Sequence, residues 1–216
     1  MIQLTHDRTL VSLTDAERER LRADFAANAY IKAPAFLHPQ LRDALMQRLD
    51  RTDFYHRVHE GIGTEVCASS GAVSAVLEFL MNDPALHAEI RRLTGCGEIG
   101  CFEGRVYRLS PKEGHYDSWH SDVGEGRLVG VSINVSHEPY EGGVLEFRHV
   151  DSDTIMAAVE NRTVGDAVIF RIDPSLRHRV GPLLGTASRT AYAGWFRSSP
   201  DFRALMRERL SHHSAR

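Results

Sequence analysis

Two residues in the stretch WHSDVGEG could do chemistry together: His120 and Asp122. They lie two apart, where an extended segment reads into a glycine-marked turn. Successive strand side chains point to opposite faces, so residues two apart share one. An imidazole beside a carboxylate is two thirds of a metal site, or merely two polar surface groups. A third donor decides between these. His178 follows the strand-like AVIFRI and the turn DPSLR, so its ring can project into the same barrel mouth. Two imidazoles and a carboxylate on one side of a metal leave the opposite positions open, a set that suits non-heme Fe(II). Histidine also suits zinc, and spacing alone does not choose. Arg189 comes eleven residues after His178, in the last strand-like segment. A buried arginine there requires an anionic partner, and its planar fork suits a carboxylate. A dicarboxylate holding the metal at one end and Arg189 at the other would fill such a barrel.

The elements that must position these groups differ between the two halves of the chain. Residues 1–97 read as mainly helical. Thr14 and Glu17 form a capping-box signature, and the helix after them should run to about Ala26. The piece YIKAPAFL is extended. Pro39 then opens a helix whose Leu41, Leu45 and Leu49 form one buried stripe. Residues 51–71 read as an irregular, mobile loop. Two more helices are expected over 72–81 and 84–93. After Gly95, short apolar segments alternate with turn signals: GRVYRL, RLVGVSINVS, GGVLEFRHV, DTIMAAV, GDAVIFRI, HRVGPLL and SRTAYAGWFR. That spacing predicts a β-sandwich or barrel over 98–198, not βαβ units. Residues 199–216 form a C-terminal helix or tail, and the whole is one domain.

Composition narrows the function. The 216 residues are 42% hydrophobic and 25% charged, with a formal net charge of −3. That balance argues against a broad nucleic-acid footprint. No run is long enough to span a bilayer. MIQLTHDRTLVSL has no basic segment leading into an apolar stretch, so no signal peptide is expected. Cys67, Cys96 and Cys101 are odd in number and fit no zinc spacing, which points to reduced thiols and a cytoplasmic location.

The arrangement His120-Ser-Asp122, His178 and Arg189 resembles the H-x-D…H-x10-R pattern of the 2-oxoglutarate- and Fe(II)-dependent dioxygenases. The flanks GRVYRLSPKEGHYDSWHSD, EGGVLEF, GDAVIF, HRVGPL and SRTAYAGWF resemble the prolyl-4-hydroxylase-like branch. More weakly, YIKAPAFLHPQLRDAL is similar to the helix leading into the core of such proteins. The resemblance covers roughly residues 98–198. It implies a mainly β protein with N-terminal helices, its core a double-stranded β-helix, or jelly roll. It implies that His120, Asp122 and His178 hold Fe(II), with 2-oxoglutarate and O2 as co-substrates. Arg189 would bind the far carboxylate of 2-oxoglutarate. Tyr107 stands where relatives place a tyrosine on that carboxylate, and Ser132 matches a second polar position, facing inward with Asn134. Ala191 departs from the pattern, because many relatives carry serine or threonine two residues after the arginine. One hydrogen bond to the co-substrate must then come from Tyr107 or Ser132.

The implied activity is hydroxylation of an aliphatic C–H with release of succinate and CO2. Related halogenases replace the carboxylate ligand by a small residue, so Asp122 favours hydroxylation, with desaturation or ring formation still open. The substrate would be a small molecule, an amino acid or a peptidyl residue, with no nucleic acid or membrane as partner. Two other readings are a nucleobase demethylase of the same superfamily and a catalytically silent jelly-roll binding protein. Arg105, Arg148 and Arg171 each read either as contacts for an acidic group of the substrate or as surface ion pairs. Trp119 either lines the substrate mouth or covers the barrel edge. Trp195 is expected in the core, and His115 is expected to point to solvent. Residues 51–71 and the segment after Gly114 are expected to close over substrate.

Overall fold

The computed structural model describes residues 1–69 and 71–213. The first half of the chain runs β1 (Ile2–Leu4), β2 (Thr9–Val11), α1 (Asp15–Asn28), β3 (Tyr30–Ala33), α2 (Pro39–Leu49), β4 (Phe54–His59), β5 (Gly63–Ala68), α3 (Ala72–Met81) and α4 (Pro84–Thr94). Strands then dominate: β6 (Cys101–Leu109), β7 (Tyr116–Asp117), β8 (Arg127–Asn134), β9 (Glu141–Gly142), β10 (Leu145–His149) and β11 (Ile155–Val159). They continue with β12 (Ala167–Arg171), β13 (Leu176–Val180), β14 (Leu183–Leu184) and β15 (Arg189–Arg197), before α5 (Phe202–His213). Positions 214–216 of the expected tail lie outside the described residues.

The helices start and stop where local chemistry says they should. Thr14 caps α1 and Glu17 returns the bond, completing the capping box. Pro39 opens α2 and Pro84 opens α4, where a missing N–H costs nothing. Gly95 ends α4 in the left-handed conformation. The Leu41, Leu45 and Leu49 stripe is buried, as its spacing predicts.

The strands form a large antiparallel sheet in the order β3-β12-β8-β15-β6-β5-β4, with β7 paired to β5. A smaller sheet, β11-β10-β13, lies across from it. This is the curled sheet of a jelly roll, mostly β with a few helices. Alternation along each strand makes two layers. Phe102 and Val106 of β6, Ile169 of β12, and Tyr192 and Phe196 of β15 pack with the helices in one apolar cluster. The residues between them (Tyr107 and Leu109, Val168 and Phe170, Ala191) turn inward and meet Leu145, Phe147 and Val180 of the small sheet. No helix among the described residues is long and apolar enough to cross a membrane.

Asn82, at the end of α3, couples the helical layer to the sheet. It is buried, donates to Phe102 O at 2.9 Å and accepts from Phe102 N at 2.7 Å. Asn82→Ala removes both partners of that peptide pair and should cost about 2–4 kcal/mol. Urea unfolding checks this as a lower midpoint at unchanged slope.

One expectation changes. Residues 51–71 are not an irregular loop: β4 and β5 form a hairpin within 54–68, in register from Phe54↔Ala68 to His59↔Gly63. The helical half also supplies β3 to the opposite edge of the large sheet, through Tyr30↔Phe170 to Ala33↔Ala167.

Candidate active site

His120 and His178 are brought together by backbone pairing. The two residues form an isolated antiparallel bridge, with His120 N to His178 O at 3.1 Å and His178 N to His120 O at 3.0 Å. Their ring centroids are 4.4 Å apart. Asp122 closes the group, with Oδ2 at 3.2 Å from His178 Nε2 and Oδ1 at 3.8 Å from His120 Nε2. All three ligand atoms lie within 4.8 Å of one another. The route there is not the expected strand end. Only His120 is bridged, and Asp122 sits in irregular chain before Gly124, Glu125 and Gly126, whose φ angles are all positive. The third donor, His178, is therefore present, although period-2 alternation does not place Asp122 beside His120.

The protonation of His120 suits a metal. Its Nδ1 lies 2.7 Å from Ser118 O, which can only accept, so Nδ1 carries the hydrogen. The lone pair is then on Nε2, which faces Asp122. Asp117 Oδ1 stands 3.3 Å from the same Nδ1, and Asp117 Oδ2 accepts from Val180 N at 2.7 Å. A carboxylate behind a ligand imidazole fixes its tautomer and orientation. Burial holds the Asp117 carboxyl above its ordinary range, against the opposing pull of His120. Burial also acts to raise Asp122, but the bond and charge of His178, with the Trp195 N–H and His120, hold it well below the usual carboxylate range. Asp122 is thus an anion at any ordinary pH.

Deeper on the same sheet face lies Arg189, 3% exposed. Its guanidinium donates to Tyr107 Oη at 2.5 Å and to Ser132 Oγ at 3.0 Å. Both partners are neutral, and among the described residues no carboxylate comes within ion-pair distance of it. A buried guanidinium stays protonated and is costly without an anion. Ala191 and Ala193 follow Arg189 on this face and leave room above it. The cavity that Arg189 and Ala193 help line is about 470 Å³, large enough for a small ligand. His120, Asp122, His178, Tyr107, Ser132, Arg105 and Arg189 all line it. These residues fit a metal with a dicarboxylate beside it.

Toward the mouth, Arg105 binds Glu65 through Nε at 3.0 Å and NH2 at 2.9 Å. Arg197 pairs with Glu103. Burial works to raise the Glu65 carboxyl, but the Arg105 charge and the His59, Cys67 and Arg105 hydrogen bonds bring it below its ordinary value. Its stabilisation is complete above the unfolded carboxyl pKa, about 4.3, and is lost as pH falls through the lower folded value. Glu65→Gln should therefore be less stable than the unsubstituted protein at pH 7. The gap should close below about pH 4, read from thermal midpoints across pH.

Three candidates fall away from the cavity. Strand alternation explains the two arginines. Phe147 pairs with His178 and faces inward, so its neighbour Arg148 faces out. Arg148 pairs with Asp153, and Trp119 lies under Arg148 and Arg179 at 4.5 and 4.6 Å, covering the barrel edge. Arg171 stacks on Phe25 of α1 and donates to its carbonyl at 3.0 Å. Two further expectations are corrected. The His115 side chain is 2% exposed rather than in solvent, because its Nδ1 accepts from Ser110 N inside a local turn. Trp195 is only part-buried and lines the cavity, where its indole N–H donates to Asp122 Oδ2 at 2.7 Å.

A jelly roll closing on two imidazoles and one carboxylate is the frame of a non-heme oxygenase that keeps metal positions open. Residues 104–197 match the sequence profile of the 2OG-Fe(II) oxygenase superfamily. The segment that carries the site is thus the one that matches the superfamily, and structures of prolyl hydroxylases share the fold. The match supports an oxygenase with Fe(II) as cofactor and 2-oxoglutarate and O2 as co-substrates. Among solved structures, a Pseudomonas putida prolyl-4-hydroxylase is similar at TM-score 0.62 and 20% identity, over 85% of this chain and 100% of that one. The epimerase SnoN from nogalamycin biosynthesis is similar at 0.61 and 15%, over 85% and 82% of the two chains. A Trichoplax adhaerens prolyl hydroxylase, in complex with a hypoxia inducible factor peptide fragment, is similar at 0.59 and 15%, over 84% and 89%. No curated protein matches the sequence.

Proposed function

We propose that this oxygenase hydroxylates an aliphatic C–H, with His120, Asp122 and His178 holding Fe(II) and Arg189 holding the far carboxylate of 2-oxoglutarate. The observation that carries this reading is Arg189: a guanidinium 3% exposed, on neutral oxygens only, at the floor of the cavity that the three donors line. A five-carbon dicarboxylate supplies the missing charge there and leaves its other end for the metal. When bound, Fe(II) supplies oxidative decarboxylation of 2-oxoglutarate by O2, coupled to oxidation of the substrate.

The chain's own residues orient and shield that chemistry. Tyr107 and Ser132 each already bond the guanidinium and set its plane. Tyr107 Oη and Ser132 Oγ also take the place of the hydroxyl that Ala191 lacks. Phe170, its ring 5.0 Å from that of His178, and Leu145 and Val180 wall the floor with apolar surface and keep water from the reacting carbon. Gly130 makes room for Phe170, since any side chain there would overlap its ring.

The substrate in this proposal is a small polar molecule, an amino acid or a peptidyl residue. The paired charges Arg105–Glu65 and Arg197–Glu103 at the mouth favour a polar substrate over a greasy one. Both substrate sizes have a counterpart among the neighbours: the Trichoplax enzyme is held with a peptide fragment, and SnoN belongs to nogalamycin biosynthesis.

A screen of amino acids, short peptides and small metabolites tests the proposal, with Fe(II), 2-oxoglutarate and O2 present. A compound that raises succinate release and gains one oxygen atom supports hydroxylation. Loss of two hydrogens instead would replace it by desaturation or ring closure.

A further inference from the structure

We propose that Trp195 is the positioning residue for Asp122: its indole N–H fixes the carboxylate in the orientation in which the metal is held. This rests on the reading that Asp122 is a metal ligand.

The three donors are supported unequally. His120 and His178 are tied to each other by two backbone hydrogen bonds. His120 is fixed again at Nδ1 by Ser118 O. Asp122 has no such frame. It stands in irregular chain, just before three residues with positive φ. Its side chain must be held from elsewhere, and β15 does this. Trp195 follows Arg189, Ala191 and Ala193 at alternate positions, so it shares their cavity face. Across the ladder on β8 it meets Gly130, which has no side chain to compete for the space. The register of this pair shifts just beyond, between Phe196 and Arg197. Irregularities of that kind re-aim side chains beside active sites.

The contact itself is well suited to the task. Indole N–H can only donate, and Asp122 Oδ2 receives it at 2.7 Å, the length of a charge-assisted bond. Arg127 lies over the indole, with Cζ 3.9 Å from the ring, and its NH1 is 3.8 Å from Asp122 Oδ1. The guanidinium holds the ring in place by its charge and draws electrons from it, making the N–H a better donor. Trp195 and Arg127 together thus define both oxygens of the carboxylate. Removing a partner behind a metal ligand typically weakens metal binding by about 10–100-fold.

The test uses the full chain stripped of metal and titrated with Mn(II), with free ion followed by electron paramagnetic resonance. Trp195→Phe keeps an aromatic ring and loses only the donor. It should weaken Mn(II) binding about tenfold or more. Wild-type affinity in Trp195→Phe, with binding lost in Asp122→Ala, overturns the role of Trp195 alone. Wild-type affinity in Asp122→Ala overturns the ligand assignment and this proposal together. A second measurement does not depend on how Trp195→Phe folds. The chain has two tryptophans, and Trp119 lies outside the cavity. In Trp119→Phe the remaining indole N–H resonance should shift when Zn(II) is added. An unmoved resonance at saturating Zn(II) also overturns the proposal.

Discussion

His178→Ala should abolish oxygen-dependent succinate formation and leave the fold standing. The imidazole is one of three donors within 4.8 Å of each other, and the two that remain do not make a facial set. Succinate formation should fall by more than about 100-fold, the upper end of what loss of a supporting contact alone costs. The backbone bridge to His120 needs no side chain, so both of its hydrogen bonds survive. What the fold loses is packing against Phe170 and Phe147, whose rings lie 5.0 and 6.2 Å from the imidazole. That is a loss of roughly 1–2 kcal/mol, within the ordinary range for one substitution. Unfolding midpoints and succinate assays on the same preparation separate the two effects. Turnover retained in a folded variant would remove His178 from the mechanism.

Arg189→Ala should raise the concentration of 2-oxoglutarate required by roughly 10–100-fold, while Fe(II) binding stays unchanged. A hydrogen bond to a charged group contributes about 1.5–3 kcal/mol, and each 1.4 kcal/mol is a factor of ten. Tyr107 and Ser132 stay in place and can still donate, so the site is weakened and not erased. The ligand-induced rise in melting temperature offers a second reading. Adding 2-oxoglutarate with Mn(II) should stabilise the unsubstituted protein and do so much less in the variant. An unchanged requirement would make Arg189 a structural cation.

The residues show why some of this was legible in the sequence and some was not. Each helix start carried its own local signal: Thr14 with Glu17, Pro39, Pro84. The inward strands read correctly because one face is apolar and the other packs on helices. The hairpin over 54–68 was missed because β4 lies at the sheet edge and is exposed along most of its length. FYHRVH therefore shows no apolar alternation to detect. Trp195 was legible in principle, since it shares parity with Arg189 and so faces the cavity. Its bulk instead suggested core. Asp117 and His115 could not be found by alternation, because Asp117 ends a two-residue strand too short to show a period and His115 is held by a local turn. Asp122 was identified through its spacing from His120, yet it reaches the site from irregular chain.

The convergence of His120, Asp122 and His178 on one Fe(II) beside 2-oxoglutarate is tested most directly by anaerobic titration of the Fe(II)-loaded protein with 2-oxoglutarate, followed by visible absorption. A charge-transfer band should grow to saturation at one equivalent, be absent in His178→Ala and need far more 2-oxoglutarate in Arg189→Ala. A protein that binds both reagents without the band, or a band undiminished in His178→Ala, would contradict the account.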